Sequence, residues 1–287
     1  MKAIRDFLDL IKFEHTIFAL PFAYLGMLLA AEGWPSWRQF FWITIAMAAA
    51  RTLAMGSNRI ADRWIDARNP RTAQRPLITG SISTRTAWIG TVFAGIILAL
   101  AAWQLSPLTF ILLPGAYVFL IGYTFTKRFT WMSHFILGFT DGLAPLGAWA
   151  AIRNSLFTPQ DIPAWILLGV VTFWIAGFDM IYACQDVDFD RQEGLQSIPA
   201  KFSILTALRL SSISHVITIG LLIALGAVSG LGWPYWIGLL VVGGLLVWEH
   251  RLVQPDDLSK LDVAFFNING YISITLFIAI LGSLYIT

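Results

Sequence analysis

Nine stretches of about 17–25 mostly apolar residues recur along the chain, at roughly 14–31, 38–57, 86–105, 108–126, 132–152, 163–181, 204–228, 233–249 and 264–285. A helix of about 20 apolar residues is what crosses the hydrocarbon core of a bilayer. Backbone in lipid must satisfy its polar groups internally, which leaves helices for spans of this length. The pattern therefore predicts an all-α integral membrane protein of nine transmembrane helices. Charge is sparse in agreement: 13% of the 287 residues are charged, against about 25% in a soluble domain. Surface this apolar has to be hidden in lipid, so the bilayer is the first partner. Nothing in the pattern calls for a nucleic acid.

The prolines Pro21, Pro114 and Pro145 fall inside spans, which membrane helices tolerate when neighbours satisfy the freed carbonyls. Residues 1–12 alternate charged and apolar positions at helical spacing and read as an interfacial amphipathic helix rather than a cleavable signal peptide. The single cysteine, Cys184, excludes a disulfide framework and a Cys-rich metal site.

The basic residues test this segmentation. Of 19 Lys and Arg, 16 fall on one side of the predicted membrane, only Arg38 and Arg153 fall on the other, and Arg51 lies within the second span. A wrong span count would scramble that asymmetry. The positive-inside rule then predicts an inner (plasma) membrane protein with its N-terminus cytoplasmic and its C-terminus outside.

Two cytoplasmic connections, 58–85 and 179–203, are long and polar, and such loops usually carry function. They share a feature. Asp62 and Asp66 recur 124 positions later as Asp186 and Asp190. The common offset predicts one domain over 1–287 built from two four-helix halves, about 14–128 and 132–249, and a ninth helix.

On a helix, Asn58, Asp62 and Asp66 line one face, with Arg51 deeper on the same stripe, and Asp179, Tyr182, Asp186 and Asp190 fall within a narrow arc. Facing stripes of carboxylates repel and raise one another's pKa unless a cation sits between them. Oxygen ligands without His or Cys point to Mg²⁺, which takes one or two carboxylates and completes its shell with water and phosphate. Two such motifs imply a diphosphate held between metal ions. Arg68, Arg71, Arg75, Lys127, Arg128 and Lys201 lie nearby as counter-charge, and Arg suits bidentate phosphate contact.

Each feature has a plainer reading. An acidic pair at a helix end is often only a solvated terminus, and basic loop residues often only enforce topology. Two matching motifs beside several Arg residues outweigh that reading. An intramembrane Arg is costly and points to function; its plain alternative is a pairing with Asp141, itself read as a structural hydrogen bond between helices. His15, His134, His215 and His250 are scattered and read as interface or packing residues rather than ligands.

The combined motifs resemble the UbiA-type family of membrane aromatic prenyltransferases, over nearly the whole chain. The matching segments are Asn58 to Asp66, Arg71-Thr72-Ala73-Gln74-Arg75-Pro76-Leu77, Tyr123 to Arg128, Asp179 to Asp190, and Gly194 to Pro199. The resemblance implies nine helices around a central cavity with the two Asp-rich loops capping its cytoplasmic side. It implies Asn58, Asp62, Asp66, Asp186 and Asp190 as the metal–diphosphate apparatus, and Arg71, Arg75 and Lys127 as diphosphate contacts. Arg51 would meet the acceptor's carboxylate. Asp179, Tyr182 and Gln185 would order the metal cluster or activate the acceptor. Position 59 is Arg where many members have Asp, but it lies off the metal-facing stripe.

The implied reaction is Mg²⁺-dependent transfer of a polyprenyl group from its diphosphate to an aromatic acid in ubiquinone or menaquinone biosynthesis. The runs Lys12 to Thr16 and Asp66 to Ala73 resemble a bacterial subgroup that uses 4-hydroxybenzoate; a dihydroxynaphthoate of the futalosine route to menaquinone is the alternative. From other classes, a transporter would also carry intramembrane charges and a repeat, but its site belongs at the midplane. The CDP-alcohol phosphotransferases also use membrane Asp motifs, but their Gly- and Arg-bearing signature is absent.

Overall fold

The computed structural model describes residues 2–11 and 13–286, without the side chains of 2–5 and 13–19. The Lys12 to Thr16 segment and His15 therefore lie outside the described side chains. The described residues form helices throughout, with no strand.

Fourteen α-helices follow one another along the described chain: α1 (Lys2–Leu10), α2 (Phe13–Ala31), α3 (Trp37–Ala61), α4 (Arg63–Asp66), α5 (Pro76–Thr79), α6 (Thr84–Leu105), α7 (Pro107–Thr126), α8 (Ser133–Arg153), α9 (Ile162–Ala183), α10 (Val187–Gln192), α11 (Ile198–Lys201), α12 (Ile204–Val228), α13 (Trp233–Leu252) and α14 (Asn269–Tyr285). Every apolar stretch of the sequence is a helix. Seven segments are long and apolar enough to cross a membrane: α3, α6, α7, α8, the α9–α10 segment, α12 and α14 with the turn before it. The chain is a multi-span membrane protein. Helix α2 packs against α8 and α14, and α13 packs against α14.

Local chemistry sets the helix ends. Ser36, Ser83, Ser106 and Ser203 accept hydrogen bonds from backbone N–H groups of the first turns of α3, α6, α7 and α12, satisfying donors that a helix start leaves orphaned. Helices α2, α7 and α8 run continuously through Pro21, Pro114 and Pro145. Close approach of backbones draws the central helices together. A Cβ on Gly26 of α2 or Gly138 of α8 would fall on the carbonyl oxygen of Pro145 or Thr172, which is the small-residue packing that membrane helices use.

The largest core joins α2, α8, α9, α12, α13 and α14 through residues such as Phe22, Trp149, Trp174, Leu222, Tyr235 and Ile268. A second cluster joins α3, α6 and α7 around Leu53, Leu98 and Leu120. The other faces of α6, α7, α12 and α13 show Phe93, Ile111, Val216 and Leu240 to the outside, as surface in lipid should. Helix α1 is more than an interfacial strip. Its Leu10 is buried with Leu77, Ile82 and Ala87 around the loop that follows α4.

Candidate active site

Helix connectivity brings the C-terminal ends of α3, α7, α9 and α13 to one end of the bundle, with the N-terminal ends of α6, α8, α12 and α14. The two acidic motifs emerge there. Each breaks its helix at the same kind of place. Helix α3 stops at Ala61, Asp62 takes φ −90° and ψ 5°, and α4 begins at once. Helix α9 stops at Ala183, a 3₁₀ turn of Cys184–Asp186 follows, Asp186 takes φ −104° and ψ 10°, and α10 begins.

This corrects the single-helix arithmetic of the sequence, because neither motif lies on one straight helix. In the first motif the turn spacing survives the break. The N–H of Asp62 donates to the carbonyl of Asn58 at 2.9 Å, and that of Asp66 to the carbonyl of Asp62 at 2.8 Å. The Asn58 amide accordingly reaches the Asp62 carboxylate at 3.1 Å.

The motifs meet through the loop between α4 and α5. Asn69 Nδ2 donates to Asp186 Oδ1 at 3.1 Å. Arg71 grips both oxygens of Asp186, at 3.0 and 2.6 Å, and reaches the Tyr182 hydroxyl at 3.2 Å. Asn69 Oδ1 holds the Arg71 backbone N–H at 2.9 Å, which fixes the turn that aims this arginine. One loop out, Arg68 and Glu193 form a second bidentate bridge at 2.8 and 2.5 Å. Hydrogen bonding from Arg68 lowers the Glu193 pKa, and the same contact raises that of Arg68.

The remaining carboxylates also have partners. Asp66 is paired with Arg75 at 2.5 Å. Asp62, only 2% exposed, lies between Lys127 at 3.3 Å and Arg128 at 2.9 Å. Asp190 accepts from Ser197 at 2.5 Å. The Gln196 N–H donates to the Lys127 carbonyl at 2.7 Å, tying the loop after the second motif to the end of α7.

Asn58, Asp62, Asp66, Asp186, Asp190, Arg71, Arg75, Lys127 and Arg128 thus form one connected polar patch. Its carboxylate and amide oxygens, without thiolate or imidazole, suit a hard cation such as Mg²⁺. Among the described residues no three of these aspartates lie close enough to share one ion. That fits a metal taking one or two carboxylates at a time.

Other residues singled out in the sequence stand apart. Lys201 is exposed at the end of α11 and forms no ion pair among the described residues. Gln185 is exposed, returns its amide to the Tyr182 carbonyl at 3.0 Å, and lines a surface cleft of about 480 Å³ with Asp188 and Arg191. Arg59 lies off the metal-facing stripe and borders the patch, its Nη1 donating to Asn58 Oδ1 at 3.4 Å. It is 7% exposed and clips α1 to α3 through the Leu10 carbonyl at 3.3 Å.

Asp179 does not point at the patch. It meets His134 Nδ1 at 2.7 Å, and His134 Nε2 accepts the Ile198 N–H at 3.2 Å. That acceptor role puts the imidazole proton on Nδ1, so His134 donates to Asp179. His134 is therefore a wired connector at the interface of α8, α9 and α11, in keeping with the interface reading of the sequence. Its spacing to Asp179 carried no signal, because the pairing is tertiary.

Deeper in the bundle, Arg51 is half-buried and its Nε has no hydrogen-bond partner. Asp141 lies within electrostatic range of Arg51 and Asp179, yet it forms no ion pair or hydrogen bond among the described residues. The helix-contact hydrogen bond expected of Asp141 is absent. Tyr182 stacks on Phe265, with ring centroids 4.0 Å apart, and Arg71 lies 5.4 Å over the Tyr182 ring. An aromatic wall therefore adjoins the polar patch. Asn69, Ser197, Glu193 and Phe265 carried no role in the sequence; only the Asn69-Pro70 dipeptide is a readable turn signal.

Known proteins carry the same plan. Residues 19–271 match the model of the UbiA prenyltransferase family. The chain is 32% identical over 260 residues to a 4-hydroxybenzoate octaprenyltransferase of Pseudoalteromonas translucida, covering 91% of this chain and 87% of that one. It is 31% identical to the 4-hydroxybenzoate octaprenyltransferase of Vibrio cholerae, covering 91% and 89%. The apo structure of a UbiA homolog from Aeropyrum pernix K1 superposes with a TM-score of 0.85 at 31% identity, covering 93% of this chain and 97% of that one. A UbiA homolog from Archaeoglobus fulgidus, solved bound to GPP and Mg²⁺, shares the fold with a TM-score of 0.66 at 19% identity, covering 96% and 99%.

Proposed function

This chain belongs to the UbiA prenyltransferase family and is a prenyltransferase, and from that premise we propose that it transfers a polyprenyl group from polyprenyl diphosphate to 4-hydroxybenzoate, with Mg²⁺. The observation that carries this reading is the joining of two distant acidic motifs by Asn69 and Arg71 within one ring of basic side chains. The named relatives supply the acceptor, and the homolog solved with GPP and Mg²⁺ supports the donor and the metal.

All nine long helices, α2 and α13 included, span the membrane in this reading, around a central cavity that the Asp-bearing loops cap. The loops face the cytoplasm, as the basic residues of the same connections favour, and the chain resides in the inner membrane. The two halves, 14–128 and 132–249, are related units, supported by the matching helix breaks at Asp62 and Asp186.

Each side chain then has work to do. Asp62, Asp66, Asp186 and Asp190 would hold the metal, with Asn58 steadying Asp62. Bound Mg²⁺ would neutralise charge on the diphosphate. Arg71, Arg75, Lys127 and Arg128 exchange carboxylate for phosphate oxygens and stabilise the charge that grows as the allylic C–O bond breaks. Lys201 supplies further positive potential at the rim. The stacked Tyr182 and Phe265 present π faces to the allylic cation, and the apolar walls keep water from quenching it. Arg51, with an orphan Nε deep in the bundle, takes the acceptor's carboxylate. The ring carbon beside the phenol hydroxyl attacks the cation, forming the C–C bond, and a ring proton then leaves. Asp179, held by His134, orders this region, with Gln185 at its edge.

Arg51 would serve a dihydroxynaphthoate carboxylate equally well. The test is therefore competitive. Membranes bearing the protein receive both aromatic acids and prenyl diphosphates of several lengths, and products are read by mass spectrometry. Prenylated 4-hydroxybenzoate as the main product is expected. Exclusive prenylation of the naphthoate would replace the acceptor, and no prenylated product at all would overturn the proposal.

A further inference from the structure

Outside the acidic patch, α12 and α13 carry a second polar cluster. His215, Glu249 and His250 place one ligand atom each within 4.8 Å of the others. His215 is 3% exposed and Glu249 is fully buried. His215 Nδ1 lies 2.9 Å from His250 Nε2 and 3.4 Å from Glu249 Oε2. A tetrahedral ion with bonds of ~2.0–2.1 Å has ligand–ligand edges of ~3.3 Å, close to both spacings.

With neutral imidazoles and an ionised carboxylate, hydrogen bonding alone does not satisfy this group. His215 Nε2 faces the Trp174 carbonyl at 3.2 Å and can only donate to it. Its proton is thereby placed, and Nδ1 is left with a lone pair. A proton from His250 Nε2 can fill that lone pair, but Glu249 Oε2 then has no partner. An orphan carboxylate oxygen at zero exposure is costly.

The supports around the cluster are those that ligand atoms need. The Trp174 carbonyl sets the His215 tautomer. Asn69-like turn chemistry plays no part here; instead Asn269 Nδ2 donates to Glu249 Oε1 at 3.0 Å, orienting the carboxylate so that Oε2 turns to the imidazoles. Such outer partners tune and orient metal ligands. The same Asn269 amide caps the Ala264 and Phe265 carbonyls at the π-helical turn Val263–Ile268, so an irregular turn of a kind frequent at functional sites fixes the orienting residue. On the opposite side, a Cβ at Gly177 of α9 would fall on the His215 ring. Glycine there lets the imidazole sit between helices.

We propose that His215, Glu249 and His250 bind a divalent transition metal, with Zn²⁺ the best match to two imidazoles and one carboxylate. The ion would staple α12 to α13 and, through Trp174 and Asn269, to α9 and α14. It is separate from the Mg²⁺ of the proposed function and does not depend on that reading.

The experiment uses the full chain purified in detergent, first stripped with chelator and then titrated with Zn²⁺ or Co²⁺ in excess Mg²⁺. Equimolar zinc should remain after dialysis, and Co²⁺ should give visible absorption of a four-coordinate site. Glu249→Gln, His215→Gln and His250→Gln should each abolish retention, while Asp62→Ala retains it. Asn269→Ala should weaken binding about 10–100-fold. Wild-type protein should unfold at a higher temperature with Zn²⁺ than without, and Glu249→Gln should show no such difference. Wild-type protein that retains no zinc and shows no Co²⁺ spectrum would overturn the proposal, as would full retention in all three ligand variants. The wild-type arms need no variant to fold.

Discussion

Two sets of carboxylates sit at opposite ends of this bundle and live differently. At the motif end, Asp62, Asp66 and Asp186 are met by the long cationic side chains of Arg128, Arg75 and Arg71, which can change partners. At the other end, beyond α8 and α9, Asp161 is fully buried and accepts from Trp149 at 2.9 Å, Arg153 at 3.2 Å, Ser155 at 2.6 Å, and the Thr158 N–H and hydroxyl at 3.0 and 2.7 Å. Those donors come mostly from short, neutral, local groups. A carboxylate so saturated has no lone pair left for a ligand and serves to lock the turn between helices. A carboxylate balanced by a flexible cation can hand that cation to a phosphate and accept a metal. Burial does not separate the two roles, since Asp62 and Asp161 are both buried; the nature of the donors does.

The largest expected effect tests the first half of that contrast. Asp62→Ala or Asp186→Ala should lower prenyl transfer by at least ~10²–10³-fold, the scale of losing one preorganised electrostatic group, while the protein still inserts in the membrane. Full turnover in either variant, measured as product per inserted molecule, would break the comparison. Asp161→Ala should behave oppositely. It should cost about 2–4 kcal/mol of stability, since hydrogen bonds to a buried charge are lost together, and lower the unfolding temperature. Turnover per folded molecule should stay near wild type.

Smaller effects sharpen the picture. Arg51→Ala should raise the KM for the aromatic acid about 10–100-fold, the worth of a charge-assisted hydrogen bond, and leave the KM for prenyl diphosphate unchanged. Equal loss for both substrates would remove Arg51 from the acceptor site.

The smallest effect belongs to the exposed Arg68–Glu193 bridge. Hydrogen bonding from Arg68 lowers the Glu193 pKa below its ordinary 4.5. A lowered carboxylate pKa means that its stabilisation is present above 4.5 and is lost as pH falls through the folded-state value. Glu193→Gln should therefore differ slightly from wild type in thermal unfolding at neutral pH, and the two should converge in acid. A difference that grows as pH falls would contradict the ion pair.

The helices were legible in the sequence because each depends on its own apolar run and local caps; Ser36, Ser83, Ser106 and Ser203 announce their starts within a few residues. The site residues were partly legible for a related reason. Asp62 and Asp66, like Asp186 and Asp190, repeat at a spacing set by one turn of helix, and in the first motif that spacing outlasts the break in the helix.

Tertiary structure alone decided who meets whom. That Arg71 closes on Asp186, that His134 takes Asp179, and that His215 faces Glu249 are pairings across 34 to 115 positions of chain. Hydropathy and turn spacing carry no record of such distances. Segment identity is a local free energy and can be read along the chain, whereas pairing depends on how whole helices pack, and small residues such as Gly138 and Gly177 set that by letting backbones and rings approach.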